Sequence, residues 1–131
     1  MTTRLFVADT LLDAVADGAS RPWSAPVPAR TLPAALAVFP RPIVREHWGG
    51  EPIAVVLDLR AWLIHHTAAS TLPLACDSQR AAEHAAAALA TAGKDGAVDP
   101  TKPAEVAGWA RAWCELHRDA HPIRTWGWWQ R

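Results

Sequence analysis

Cys114, His117 and His121 stand at i, i+3 and i+7, a spacing that stacks three metal-capable side chains along one side of a helix. Pro122 disfavours helical backbone at His121. The zinc set this suggests is therefore Cys114 and His117 joined by His65 and His66 from the middle of the chain. The plainer reading of the same helix makes Cys114 a small core residue, His117 a core-edge residue and His121 a cation near the helix end; it is preferred, so no cofactor is assigned and zinc is the alternative. Asp58 and the adjacent His65-His66 pair have the types needed for acid–base work, one or two helical turns apart. No serine, cysteine or lysine is locally placed to act as a nucleophile, and no catalytic residue is assigned. Gly49-Gly50 is not a phosphate loop, since no further glycine or Lys-Ser/Thr follows.

The chain has eight tryptophans and no tyrosine. Trp62, Trp109 and Trp113 fall within apolar runs and would line a ligand pocket with His65, His66, Cys114 and His117 as its polar groups. Trp126, Trp128 and Trp129 crowd the tail that begins at Arg124. Such a tail folds back to finish a small core, anchors a partner, or stacks on flat ligands, in that order of preference. These six tryptophans are the partner- or ligand-binding candidates.

At 131 residues, half of them apolar, the chain reads as one folded domain, 1–131. Thirteen basic residues balance thirteen acidic ones, so no global field draws it to nucleic acid or membrane. Two cysteines are too few for a disulfide framework. The apolar stretch Phe6 to Val15 is broken by Asp9 and Asp13, no run is long enough to span a bilayer, and the location expected is cytoplasmic.

The elements that position these residues are read around Pro42–His66. Its β-branched run, divided at Gly49-Gly50, predicts a hairpin in which Val44 faces Val55, Ile43 faces Val56 and Glu46 faces Ile53. Asp58 would then cap a short helix over 59–66; the competing reading makes 52–66 one buried helix. A helix is predicted over 3–17, with Asp9, Asp13 and Asp17 down one side. Ser20–Pro42 is proline-rich and extended, with room for a short helix at 32–38; Arg21, Arg30, Arg41 and Arg45 make it locally basic. Residues 67–74 are a connector. Helices follow over 78–92, with an alanine face, and 102–119, with the apolar stripe Val106, Trp109, Ala110, Trp113 and Leu116. The fold expected is α+β: a small antiparallel sheet built on the 42–58 hairpin and packed by three or four helices, the alternative being an all-α bundle.

The run Ile43 to Trp62, with Gly50-Glu51-Pro52-Ile53-Ala54-Val55-Val56 at its centre, resembles the middle of the Phd/YefM family of antitoxins. There a strand and an Arg-containing turn precede Gly-x-Pro-hydrophobic-Ala-Val and a short helix carrying an aromatic. Trp62 fits that aromatic, and Arg30 to Leu36 fits the preceding helix. The resemblance implies a dimer that binds operator DNA through a basic surface and wraps a toxin with its C-terminal part, with Arg30 and Arg45 placed to contact phosphates. The function expected is thus non-enzymatic: a binding or regulatory protein, antitoxin-like, engaging a protein partner and DNA. The alternative is a small enzyme or ligand-binding protein with the tryptophan-lined pocket.

Overall fold

The computed structural model describes residues 10–15, 24–46, 52–68 and 70–123. They form an antiparallel meander in which each strand pairs with its neighbours in sequence. The strands are β1 (Thr10–Val15), β2 (Ser24–Leu32), β3 (Leu36–Glu46), β4 (Pro52–His66), β5 (Ser70–Cys76) and a short β6 (Ala120–Pro122). Two helices, α1 (Gln79–Lys94) and α2 (Pro103–Leu116), lie between β5 and β6.

This α+β sheet replaces both architectures expected from the sequence: among the described residues two helices, not three or four, cover a six-stranded meander, and an all-α bundle is excluded. Residues 10–15, expected to be helical, pair as β1 with Ser24–Ala29. Residues 32–38 hold the end of β2, a turn at 33–35 and the start of β3, and not a short helix. Residues 67–74 are mostly strand. Gly49 and Gly50, and the rest of the helix expected at 3–17, lie outside the described residues.

The long central strand accounts for the largest difference. β4 bonds β3 on one side and β5 on the other, and at residues 62–64 it is covered on both faces. Trp62 and Ile64 point to the helical layer while Leu63 points to the opposite face, each at most 1 % exposed. A strand buried from both sides reads as an unbroken apolar run, which is also how a buried helix reads, so periodicity cannot separate them. The pairings Val44–Val55 and Ile43–Val56 are those read from the sequence, but a register shift opposes Glu46 to Pro52 where Ile53 was expected.

A second shift, between Pro40 and Arg41, leaves residues 59–61 without partners on β3. This bulge is fastened from within. Asp58 Oδ1 accepts the Arg60 backbone N–H at 3.0 Å, Asp58 Oδ2 accepts from Arg41 Nη2 at 3.2 Å, and Trp62 Nε1 donates to the Leu59 carbonyl at 2.8 Å. Prolines fit the sheet because they recur two residues apart, at 26 and 28 and at 40 and 42. That spacing turns both missing donors of a strand to the same side.

The β2–β3 turn is strained. Ala34 and Ala35 sit in the left-handed region at φ 65° and 62°, at a cost of about 1–2 kcal/mol each for a residue with a Cβ. Thr67, just after β4, holds them there: its N–H and its Oγ1 both donate to the Ala35 carbonyl, at 3.1 and 3.2 Å.

Both helices pack on one face of the sheet. α1 crosses β3, β4 and β5; α2 lies against β5 and β6. Ser78 caps α1 by accepting the Ala81 N–H, and the buried side of that helix is Ala81, Ala82, Ala85, Ala86 and Leu89. These residues join Leu36, Val38, Trp62, Ile64, Leu72 and Leu74 in the main core. A second cluster, Val27, Ala29, Ala37, Phe39 and Leu63, occupies the other face.

Candidate functional site

The chemistry-bearing side chains gather mainly along the flank of α2 that faces α1. Trp109, Trp113 and His117 are four residues apart, so their rings rise one above another at successive turns. Trp109 stacks on Trp113 at a centroid separation of 5.5 Å, and the His117 ring lies on Trp113 at 3.6 Å and 14°. His84 of α1 meets Trp113 and His117 edge-on, at 5.2 and 5.7 Å. The Trp113 carbonyl takes both the His117 N–H and His117 Nδ1 at 3.0 Å, and since a carbonyl only accepts, the Nδ1 carries the proton. The buried Trp113 Nε1 has no hydrogen-bond partner among the described residues.

Leu116 was read as part of the core stripe of this helix. Val106 and Ala110 do face the core, but Leu116 is 80 % exposed. It lies beside the aromatic ladder, three residues beyond Trp113, with exposed Gly108 and Ala112 on the same outward side.

The four residues read as a zinc set do not converge, and among the described residues no three His, Cys, Asp or Glu side chains are grouped to hold a metal. Alternation along β4 sends His65 and His66 to opposite faces of the sheet. Cys114 opens on a cleft of about 560 Å³ walled by Pro73, Arg111, Glu115 and Ile123. His117 is the C-cap of α2, at φ −130° and ψ 120°, and its ring lies on Trp113. His121 is on β6 and bonds Asp77 Oδ1 at 2.8 Å.

The pairing of Asp58 with His65 and His66 is lost for the same reason as the helix that carried it. Asp58 stands opposite Arg41, and His65 and His66 opposite Ala37 and Leu36, four and five residues away along β3, which is roughly 13–17 Å. Asp58 is engaged by Arg41 and Arg60 instead. Burial pulls its carboxyl upward, but the hydrogen bonds from Arg60 and the charges of Arg60 and Arg41 outweigh this and hold it below 3.8.

Neither thiol is primed for attack. Burial, with the nearby charges of Asp119, Cys114 and Asp77, pushes Cys76 up to about 12, and burial raises Cys114 as well. Ser78, next to the Asp77–His121 pair, has its oxygen committed to capping α1.

Trp62 is 1 % exposed and belongs to the core, so it lines no pocket. Arg30 on β2 lies 3.9 Å from Glu83 of α1, which competes with any phosphate for it. Arg45 pairs with Ala54 in the β3–β4 ladder. Trp126, Trp128 and Trp129 lie outside the described residues. Sequence reasoning missed His84, whose partners are on another helix; the four-residue spacing of Trp109, Trp113 and His117 signalled the other three members of the cluster.

The histidines of β4 give the molecule an acid-sensitive step. Burial, reinforced for His65 by the charge of His66, holds both below their ordinary 6.5. Between the folded and unfolded values the unfolded chain binds more protons, so stability falls as pH drops below about 6.5 and levels off below the folded values. Asp58, with its folded value depressed, adds stability above its unfolded 3.8 that is lost as pH falls through the folded value. Urea unfolding across pH should show both steps, and His65→Gln with His66→Gln should abolish the upper one alone.

No family model matches the chain, and neither a curated protein nor a solved structure does.

Proposed function

We propose that the protein is a non-enzymatic binding protein that holds an amphipathic helix of a protein partner along the outward flank of α2. One observation carries the reading: Leu116, a large apolar side chain 80 % exposed, stands beside a stacked tryptophan pair on a well-formed helix. Rigid aromatic rings supply much of the binding energy at protein interfaces, and an apolar side chain left this exposed gains by being covered. Gly108 and Ala112 leave room beside them for a second helix to approach closely, and exposed Arg111 and Glu115 border the patch with both signs of charge. Holding a toxin-like partner is the form of this role that the antitoxin resemblance suggests.

A photo-crosslinking residue at position 116, expressed in the cells that make the protein naturally, tests the reading. The expected result is one discrete adduct that disappears when Ala112→Arg is added, a change at an exposed site that leaves the thermal midpoint unmoved. A crosslinker at Arg60, whose side chain is 92 % exposed on the far bulge, serves as the control. An identical adduct pattern from both positions, or none from 116, overturns the proposal.

A further inference from the structure

A cavity of about 470 Å³ opens where the end of α1 crosses the β2–β3 turn, away from the aromatic flank of α2. Its size is that of small-molecule sites, about 300–1,000 Å³. Leu36, Leu89, Ala90 and Pro100 make the walls apolar, and the polar side chains on its lining are Thr91, His66 and Lys94. No carboxylate is among the described lining residues. Thr91 is occupied locally, its Oγ1 donating to the Ala87 carbonyl.

The end of a helix ordinarily repels anions, because its last carbonyls face outward. Here the chain turns back over them. Asp95 N–H bonds the Thr91 carbonyl, Gly96 N–H that of Gly93, and Ala97 and Val98 N–H that of Ala92, at 2.9–3.3 Å. Those acceptors are satisfied, and Lys94 is the cation on the described lining. His66 adds a directed donor: its Nδ1 accepts the Ala68 N–H at 3.0 Å, so in the neutral ring the proton is on Nε2. Burial holds that ring below its ordinary value and therefore neutral at pH 7.

The rim is also the strained part of the fold. Ala34 lines the cavity in a left-handed conformation, fixed through Ala35 by the residue after His66. Non-glycine residues held in such conformations cluster at ligand clamps and other functional sites.

We propose that this cavity binds a small aliphatic monocarboxylate, with its chain against Leu36, Leu89 and Ala90 and its carboxylate between the Lys94 ammonium and His66 Nε2–H. An apolar body matches the walls, and a single negative charge matches described lining residues that include one permanent cation and no acid.

Titration calorimetry of the full chain with octanoate, octan-1-ol and octylammonium tests it. Octanoate should bind with a dissociation constant of about a millimolar or lower, octanol more weakly, and octylammonium not at all. Lys94→Met, at an exposed position, should weaken octanoate about tenfold or more and leave octanol unchanged. Ala90→Trp should fill the space and abolish both, and amide shifts on adding octanoate should centre on Leu36, His66 and Gly93. No octanoate binding, equal affinity for octanol, indifference to Lys94→Met, or shifts centred on α2 would each overturn the assignment.

Discussion

Replacing Trp62 by alanine should lower the free energy of unfolding by about 3–5 kcal/mol, the cost of removing a large buried aromatic from a core that cannot collapse around the space. Trp62 is 1 % exposed, at the centre of the main core, and Trp109 and Trp113 pack against the same cluster. A domain of this size has a total stability of about 5–15 kcal/mol, so the variant would be near its unfolding threshold at room temperature. Trp62→Phe retains most of the apolar volume and removes the Nε1–H donor to the Leu59 carbonyl, for which a loss of about 1 kcal/mol is expected. The difference between the two separates packing from the fastening of the 59–61 bulge. Urea denaturation followed by tryptophan fluorescence and circular dichroism measures both. A Trp62→Ala protein with unchanged midpoint would mean that this ring is not a core element.

What the sequence conveys about this fold depends on whether the signal is local. Both helices carry theirs within a few residues: Ser78 before α1, Gly93 near its end, and Pro103 and Glu105 in the first turn of α2. They fall close to the expected limits. β1 is a case where the signal is ambiguous by arithmetic. The aspartates at 9, 13 and 17 recur every four residues, which suits a helix of period 3.6 and equally a strand of period 2. What decides for a strand at 10–15 is pairing with β2, a partner that no local spacing reveals. β4 fails differently, since burial on both faces at Trp62, Leu63 and Ile64 erases alternation there.

The candidate sites divide in the same way. The ladder of Trp109, Trp113 and His117 is written in its spacing, whereas His84 arrives from another helix. The cavity at the end of α1 draws on the β2–β3 turn, β3, β4, α1 and Pro100, which only the fold assembles. His65 and His66 looked like one functional pair because they are adjacent, and adjacency on a strand is what sends them apart.

The alanine side of α1 supports the second large prediction. Ala82, Ala85 and Ala86 have no exposed surface, and they sit where the helix crosses β3, β4 and β5. Side chains this small set a short distance between helix and sheet, so the three alanines act as a spacer whose value lies in having no further atoms. Ala85→Leu adds three heavy atoms to a closely packed interface, and the expected cost is about 1–3 kcal/mol as α1 lifts or its neighbours leave their rotamers. Helix propensity does not explain such a loss, because leucine ranks next to alanine. Ala87→Leu makes the same change two residues on, at an exposed position of the same helix, and should shift stability by no more than about 0.5 kcal/mol. Chemical denaturation of the pair gives the comparison directly. If the two variants lose equal stability, the helix does not approach the sheet through its alanines, and the apolar wall that Leu89 and Ala90 give the cavity would have to be drawn elsewhere.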